Sequence, residues 1–202
     1  MPKDESMTRG GQPLTVLVAE DEALIRMDLV ETLGELGFTV AAAVADGRSA
    51  VESAARMSPD VALLDIRMPG MDGLAAAKQI VALDTTAVVM LTAFSQPELI
   101  QRAVAAGAMG YLMKPFKADE LRAALSVAHE RYTQLQQAKQ RSRKLEQSLA
   151  DRKVIERARG VVQQRLGVTE GEAYVWLRTA AMDQRLSLAE VARRTLEAGE
   201  GP

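Results

Sequence analysis

Short apolar runs alternate with longer amphipathic stretches along the first half of the chain. The runs lie at 14–19, 39–44, 61–66, 87–92 and 111–113, and they are too short and too rich in β-branched residues to favour helices. The stretches between them have helical spacing. In the first of these, one face is predicted to carry Leu24, Met27, Val30, Leu33 and Leu36. Strand and helix alternate five times, which predicts an α/β fold with a doubly wound parallel sheet.

The third run differs from the others because it leads directly into a carboxylate. Four apolar residues precede Asp65, and the run is bounded by Pro59 and by Pro69-Gly70. Such a run is typical of a strand buried on both faces. Asp65 then lies at the carboxyl end of a strand, where open α/β sheets bind their ligands. We interpret Asp65 as a nucleophile that accepts a phosphoryl group; the alternative is an Asp that caps a loop.

Other polar residues follow the remaining strands. Glu20 and Asp21 come after the first strand, Thr92 closes the fourth and Lys114 follows the fifth. The carboxyl ends of parallel strands share one edge, so these groups and Asp65 are expected to converge. Clustered carboxylates repel one another, which calls for a cation. An all-oxygen ligand set suits Mg²⁺, and a metal and a lysine together would neutralise a phosphoryl group during its transfer to a carboxylate.

These motifs resemble the receiver domain of bacterial two-component response regulators. The matching residues are 18–22, 64–73, 91–93 and 110–116, which read VAEDE, LDIRMPGMDG, LTA and GYLMKPF. The resemblance covers 14–125 and implies a flavodoxin-like (βα)5 fold. It also implies that a sensor histidine kinase phosphorylates Asp65. The Mg²⁺ ligands would then be Glu20, Asp21, Asp65 and the backbone carbonyl of Arg67.

The resemblance also implies a switch. Lys114 would pair with the phosphate, ahead of a cis Pro115, and Thr92 would swing to hydrogen-bond a phosphoryl oxygen while Tyr111 turns inward. Glu20 stands where Asp is common in the family, which lengthens this arm by one methylene. Beyond its own phosphotransfer and slow autodephosphorylation, the chain is not expected to be an enzyme.

The second half of the chain is helical in pattern almost throughout. No Pro occurs between Pro115 and Pro202. A seam at steps of four and three is formed by Leu121, Leu125, Ala128, Tyr132 and Leu135, and it resumes at Ala138, Ser142, Leu145 and Leu149. The seam predicts a weak dimerisation coil adjustable by phosphorylation, the alternatives being a solvated spacer or a helix folded against its own chain.

The last part of the chain predicts a small three-helix bundle. Capping boxes at Thr169–Glu172 and Ser187–Glu190 open its second and third helices. Trp176 or Leu177 would lie in its core, and we interpret Trp176 as a core residue, the alternative being a stacking platform for nucleic acid. Gly160 interrupts the first helix, which indicates a close approach of another backbone.

This part resembles the ANTAR domain, a helical RNA-binding module of antitermination regulators. The matching residues are 156–160, 167–174, 177–182 and 188–192, which read ERARG, GVTEGEAY, LRTAAM and LAEVA. The resemblance implies binding to paired hairpin RNA near a terminator, so that transcription continues; two hairpins would fit a homodimer of the phosphorylated protein. Candidate RNA contacts are Arg157, Arg159, Arg165, Arg178 and Arg185, the alternative being a solvated basic face.

Charge is distributed unevenly along the chain. Residues 1–138 hold 12 Lys/Arg and 18 Asp/Glu, whereas residues 139–197 hold 13 Lys/Arg and 8 Asp/Glu. An acidic front and a basic back predict two functional units, the second of which meets a polyanion. The predicted organisation is a flexible tail 1–13, a receiver 14–125, a helical coiled-coil linker 126–150, an ANTAR domain 151–197 and a tail 198–202.

Composition also bears on location and on the class of partner. Without cysteine, disulfides and thiolate chemistry are excluded. With no apolar run near about 18 residues, no membrane span is expected, and we expect a cytoplasmic protein. A DNA-binding regulator with a helix-turn-helix-like output domain is the main alternative function, and a scaffold that meets only proteins is another. No helix rich in base-reading Asn, Gln and Arg follows a tight turn, which disfavours the DNA-binding alternative.

Overall fold

The computed structural model describes residues 8–9, 11–93 and 97–198 and divides the chain into two compact units, Met1–Gln136 and Gln137–Pro202. Most of the predicted tails lies outside the described residues. Within the first tail, strands β1 (Thr8–Arg9) and β2 (Gln12–Pro13) form a short antiparallel pair. This pair stands where the sequence predicted only a flexible segment.

The first unit is built on the predicted five-stranded parallel sheet. Its strand order is β4-β3-β5-β6-β7, with the buried strand β5 at the centre. The strands are β3 (Thr15–Ala19), β4 (Thr39–Val44), β5 (Val61–Asp65), β6 (Ala87–Thr92) and β7 (Gly110–Met113). The flavodoxin-like doubly wound fold is therefore confirmed.

Helices cover both faces of this sheet, which explains why β5 is apolar on both sides. The helices are α1 (Ala23–Glu35), α2 (Gly47–Met57), α3 (Gly73–Ala82), α4 (Pro97–Ala105) and α5, which runs from Ala118 to Leu166. One apolar core lies between the sheet and α1 and α5, and the other lies between the sheet and α2, α3 and α4.

The predicted buried face of α1 is wrong in its first half. Leu24 and Met27 are 82% and 68% exposed, whereas Leu29 and Leu33 are fully buried and Ile25 packs against the same core. Residues 25, 29, 33 and 36 also follow helical spacing. The sheet selects this second stripe, which the sequence pattern alone allowed equally well.

The first half of the predicted seam packs within its own chain. Leu121, Leu125 and Ala128 are completely buried in the core beneath α5, and Tyr132 packs against it. A dimer coil over these residues is therefore wrong, and the alternative of a helix folded against its own chain holds there. Farther along α5, Leu145 and Leu149 are 66% and 61% exposed.

Gly73 begins α3 at a point where the backbone leaves no room for a side chain. A Cβ there would lie 1.9 Å from the carbonyl oxygen of Asp65. We expect Gly73→Ala to lower the free energy of unfolding of the first unit by about 2 kcal/mol, as overpacking does. Urea unfolding followed by circular dichroism measures it. Gly34→Ala in α1, where a Cβ meets no atom within 4 Å, is the matched control and should not destabilise. Equal midpoints for the two variants would contradict the steric argument.

The second unit is a three-helix arrangement made of the end of α5, α6 (Glu170–Gln184) and α7 (Leu188–Glu197). Gly167, with φ +65°, ends α5. Thr169 and Ser187 cap α6 and α7 through complete capping boxes, as predicted. The core includes Ala158, Val162, Leu177 and Val191.

Two expectations for this unit were wrong. Leu177, and not Trp176, occupies the core, and Trp176 is 45% exposed. Gly160 is not a site of close backbone approach, since a Cβ there would meet nothing within 4 Å.

Candidate functional site

Three carboxylates meet at the carboxyl edge of the parallel sheet. Glu20 and Asp21 directly follow β3, and Asp65 is the last residue of β5. Each of the three offers an oxygen, and these oxygens all lie within 4.8 Å of one another. We call this set the acidic cluster. The adjacency of β3 and β5 in the sheet, which the order of strands along the chain does not reveal, brings these carboxylates together.

Lys114, which follows β7, reaches into the acidic cluster. Its Nζ lies 2.5 Å from Oε2 of Glu20 and 3.2 Å from Oδ1 of Asp65. The Lys114–Pro115 peptide bond is cis, as the family resemblance implied. The carboxylate of Glu20, on the longer side chain, lies closer to the ammonium group than the carboxylate of Asp65 does. This residue, which departs from the usual Asp, therefore anchors the lysine while remaining beside Asp65.

Burial and mutual repulsion shape the protonation of the site. Desolvation raises the pKa of Asp65 despite the opposing charge of Lys114. Desolvation likewise raises the pKa of Glu20, and Asp65 adds repulsion to it. Burial lowers the pKa of Lys114, but its hydrogen bond to Glu20 and the charge of Asp65 outweigh this effect and raise the pKa overall. Three carboxylates with one ammonium group thus leave excess negative charge, which a divalent cation would neutralise.

A cavity of about 310 Å³ opens beside Asp65. Its lining includes Asp21, Arg67, Thr92 and Lys114, so the structure brings together most of the residues predicted for the site. Thr92 is 3% exposed overall at the end of β6. Tyr111 does not line this cavity. It is half-exposed and borders a separate groove with Val104 and Val127.

The sequence reasoning missed Arg26. From the first turn of α1, its Nη1 donates to the carbonyl oxygens of Glu20 at 2.5 Å and Asp21 at 3.2 Å. These contacts hold the backbone that carries two members of the acidic cluster. The signal was present in the sequence as a cation five residues after Asp21, close enough for a helix to return its side chain to the preceding loop.

The candidate RNA contacts in the second unit fall into two groups. Arg157, Arg178 and Arg185 are exposed, and Arg165 is exposed while donating to the carbonyl oxygen of Ala198 at 3.2 Å. Arg159 is different because it forms ion pairs with Glu156 and, at 2.6 Å, with Glu170. Its charge is therefore already balanced within the unit, where it ties α5 to α6.

Among the described residues, no helix combines the length and the apolar character needed to cross a membrane.

Comparison with known proteins gives two family matches. The response regulator receiver domain matches residues 16–126, and the ANTAR domain matches residues 143–195. The transcriptional regulatory protein PdtaR of Mycobacterium tuberculosis is 43% identical over 185 residues, which cover 92% of this chain and 90% of PdtaR. The chemotaxis protein CheY of Bacillus subtilis is 38% identical over 112 residues, covering 55% of this chain and 93% of CheY.

Solved structures match the first unit. CheY4 of Vibrio cholerae aligns with a TM-score of 0.54 and 35% identity, covering 57% of this chain and 98% of that one. A second match is the receiver domain of sensor histidine kinase PA1611 from Pseudomonas aeruginosa, which has a magnesium ion coordinated in its active site cleft. It aligns with a TM-score of 0.53 and 33% identity, covering 58% of this chain and 98% of that one. The fold, the two family matches and the similarity to PdtaR over 92% of the chain agree. The chain belongs to the response regulator family and combines a receiver domain with a C-terminal ANTAR domain.

Proposed function

We propose that the chain accepts a phosphoryl group on Asp65 from a sensor histidine kinase and, in response, binds hairpin RNA through its C-terminal helices to cause transcription antitermination. The observation that carries the first half is the geometry of the sheet edge. The Asp65 carboxylate borders an open cavity, with Nζ of Lys114 3.2 Å from its Oδ1 and the carboxylates of Glu20 and Asp21 at its side. A loop-capping Asp would need none of these neighbours.

The chemistry at Asp65 is a phosphoryl transfer. A carboxylate oxygen forms a bond to phosphorus while the phosphorus–nitrogen bond of the kinase phosphohistidine breaks, and the imidazole leaves. Lys114 faces Asp65 and balances negative charge on the transferred group. Asp21 and Asp65, with Glu20 and the backbone carbonyl of Arg67, would hold Mg²⁺, which supplies charge neutralisation at the phosphoryl oxygens. The oxygen-only donor set fits this ion.

Thr92 and Tyr111 would connect this chemistry to a surface. Thr92 lines the cavity, and its hydroxyl can donate to a phosphoryl oxygen. Its movement would open space for Tyr111, which here is half-exposed one strand away on β7. Inward rotation of Tyr111 would reshape the groove beside Val104 and Val127, which gives phosphorylation a route to a homodimer contact.

Removal of Arg26 should weaken the site without touching an acidic side chain. We expect Arg26→Met to lower the affinity for Mg²⁺ about tenfold, as loss of an outer-shell partner does. Titration calorimetry with magnesium chloride measures it. Arg48→Met is the matched control, since that arginine donates to none of the cluster carbonyls. Unchanged affinity in Arg26→Met would show that the loop holds its shape without this side chain.

The basic charge of residues 139–197 supports the RNA-binding half of the proposal. Arg157, Arg178 and Arg185 are exposed and available to phosphates or bases. Arg159 is the weakest of the five candidates, since two carboxylates already engage it. RNA loops present unstacked bases to such side chains, whereas a base-paired duplex does not.

One binding experiment tests ligand class, charge dependence and switching together. The affinity of the full-length protein for hairpin RNA and for duplex DNA is measured at two salt concentrations, with and without beryllofluoride plus Mg²⁺. We expect preference for the hairpin, a steep loss of affinity with salt, and tighter hairpin binding with beryllofluoride. Duplex binding that survives excess hairpin would instead identify a DNA-binding regulator. Absence of nucleic-acid binding at low salt would identify a protein scaffold.

A further inference from the structure

The second unit contains a groove that none of the predicted RNA contacts line. Its volume is about 530 Å³, within the range of small-ligand sites. Apolar and aromatic surface comes from Ile155 of α5, Tyr174 of α6 and Leu188 of α7, and Lys144 and Arg152 of α5 also border it. Three elements of one unit thus build a concave surface with apolar and cationic parts.

The charge of this groove is positive once its ion pairs are considered. Two carboxylates line it: Asp151 is paired with Arg193, and Glu156 shares Arg159 with Glu170. With Lys144 and Arg152, four cations therefore face three carboxylates. Neither Lys144 nor Arg152 has an ion-pair partner among the described residues. The two cations therefore remain available to an anionic ligand, and the apolar surface lies beside them.

Tyr174 gives the groove a flat surface for stacking. Tyr174 is 40% exposed and lines the groove, so a ligand in the groove can contact it. Arg178 lies one helical turn farther along α6, on the same face and also exposed. An aromatic ring flanked by unpaired cations is the arrangement that single-stranded nucleic acid requires, because bases stack on the ring while cations follow the phosphates.

We propose that this groove binds one unstacked nucleotide of an RNA loop, with its base against Tyr174 and Leu188 and its flanking phosphates at Arg152 and Lys144. The proposal rests on the RNA-binding function proposed above and names the part of the RNA that the unit recognises. A helical duplex keeps its bases stacked inside and cannot fill the groove. The Asp and Glu side chains of an acidic peptide could meet the cations, but they carry no ring to stack on Tyr174.

The chain offers a matched control for the aromatic contact. Trp176 lies two residues from Tyr174 on the same helix and is similarly exposed, at 45%, but it does not line the groove. If any exposed aromatic side chain sufficed, the two residues would be equivalent. The groove instead predicts that only Tyr174 contacts the base.

The test uses the full-length protein and a hairpin RNA selected by the wild type from a pool with randomised loops. We expect Tyr174→Ala to bind this RNA about tenfold or more weakly. Tyr174→Phe, which keeps the ring, and Trp176→Ala should each stay within about twofold of wild type. Arg152→Gln should lower the slope of log affinity against log salt concentration by about one, the effect of one lost phosphate contact. Lys153→Gln should leave this slope unchanged. Thermal unfolding shows that each variant is folded.

Photocrosslinking locates the base directly. The same hairpin carrying 5-iodouridine in its loop is irradiated with wild-type protein, and mass spectrometry identifies the linked residue, expected to be Tyr174. Full RNA affinity in Tyr174→Ala, together with a crosslink to another residue, would overturn the proposed nucleotide site but not the proposed RNA-binding function. A change in oligomeric state of Tyr174→Ala in light scattering shows that a second copy covers the groove and overturns it as well. A wild type that selects no hairpin overturns both proposals.

Discussion

The Asp65→Asn protein is expected to form no acyl phosphate when incubated with phosphoramidate and Mg²⁺. An amide oxygen carries no negative charge and is a poor nucleophile, so the bond to phosphorus does not form. Intact-mass spectrometry of the full-length protein should show one added phosphoryl group in the wild type. The variant should show at least about 100-fold less, a loss of the size that removal of a nucleophile produces.

Asp72→Asn is the matched control for this experiment. Asp72 follows in the same loop, and its carboxylate accepts a hydrogen bond of 2.7 Å from the backbone N–H of Ala75 at the start of α3. Asparagine caps helices about as well as aspartate, so this variant should be folded and phosphorylated normally. Wild-type phosphorylation of Asp65→Asn would identify another acceptor, and Asp21 would be the first candidate because it borders the same cavity.

The sequence allowed the convergence at the sheet edge to be predicted because a parallel sheet imposes it. Once five strands alternate with helices, residues just past the strands must share an edge, whatever the details of packing. Knowledge of side-chain contacts was therefore not needed to predict the convergence of Glu20, Asp21, Asp65 and Lys114. The contact of Lys114 with Glu20 did need it, since the reach of each arm depends on atomic positions.

The wrong predictions of which helix faces are buried share one physical cause. Helical spacing defines a stripe but does not say what lies against it. In α1 two stripes shared Leu33, and the sheet packed against Ile25 and Leu29 in place of Leu24 and Met27. In α5 the seam at Leu121 and Leu125 had the spacing of a coiled coil but serves the core of its own unit. Trp176 and Leu177 are neighbours in sequence, so the rotation of α6 about its own axis decides which of them is buried.

The second large effect concerns the metal. Asp21 is the exposed member of the acidic cluster, and its carboxylate lies at the cavity with Asp65. Asp21→Asn replaces a charged ligand oxygen with a neutral one, so we expect Mg²⁺ affinity to fall roughly 100-fold, the upper end of what even outer-shell partners contribute. Glu22→Gln is the matched control: Glu22 borders the same cavity but is not part of the acidic cluster.

Thermal and urea unfolding in magnesium chloride measure the difference, because an ion that binds only the folded receiver stabilises it by mass action. At a Mg²⁺ concentration 100 times the wild-type dissociation constant, wild type and Glu22→Gln should gain about 2.7 kcal/mol of unfolding free energy. At that concentration Asp21→Asn, bound 100-fold more weakly, should gain only about 0.4 kcal/mol. Equal gains in all three proteins would place the ion away from Asp21. Such a result would also remove the physical reason for gathering three carboxylates, two of them buried, around one lysine, because their repulsion would then have no divalent cation to relieve it.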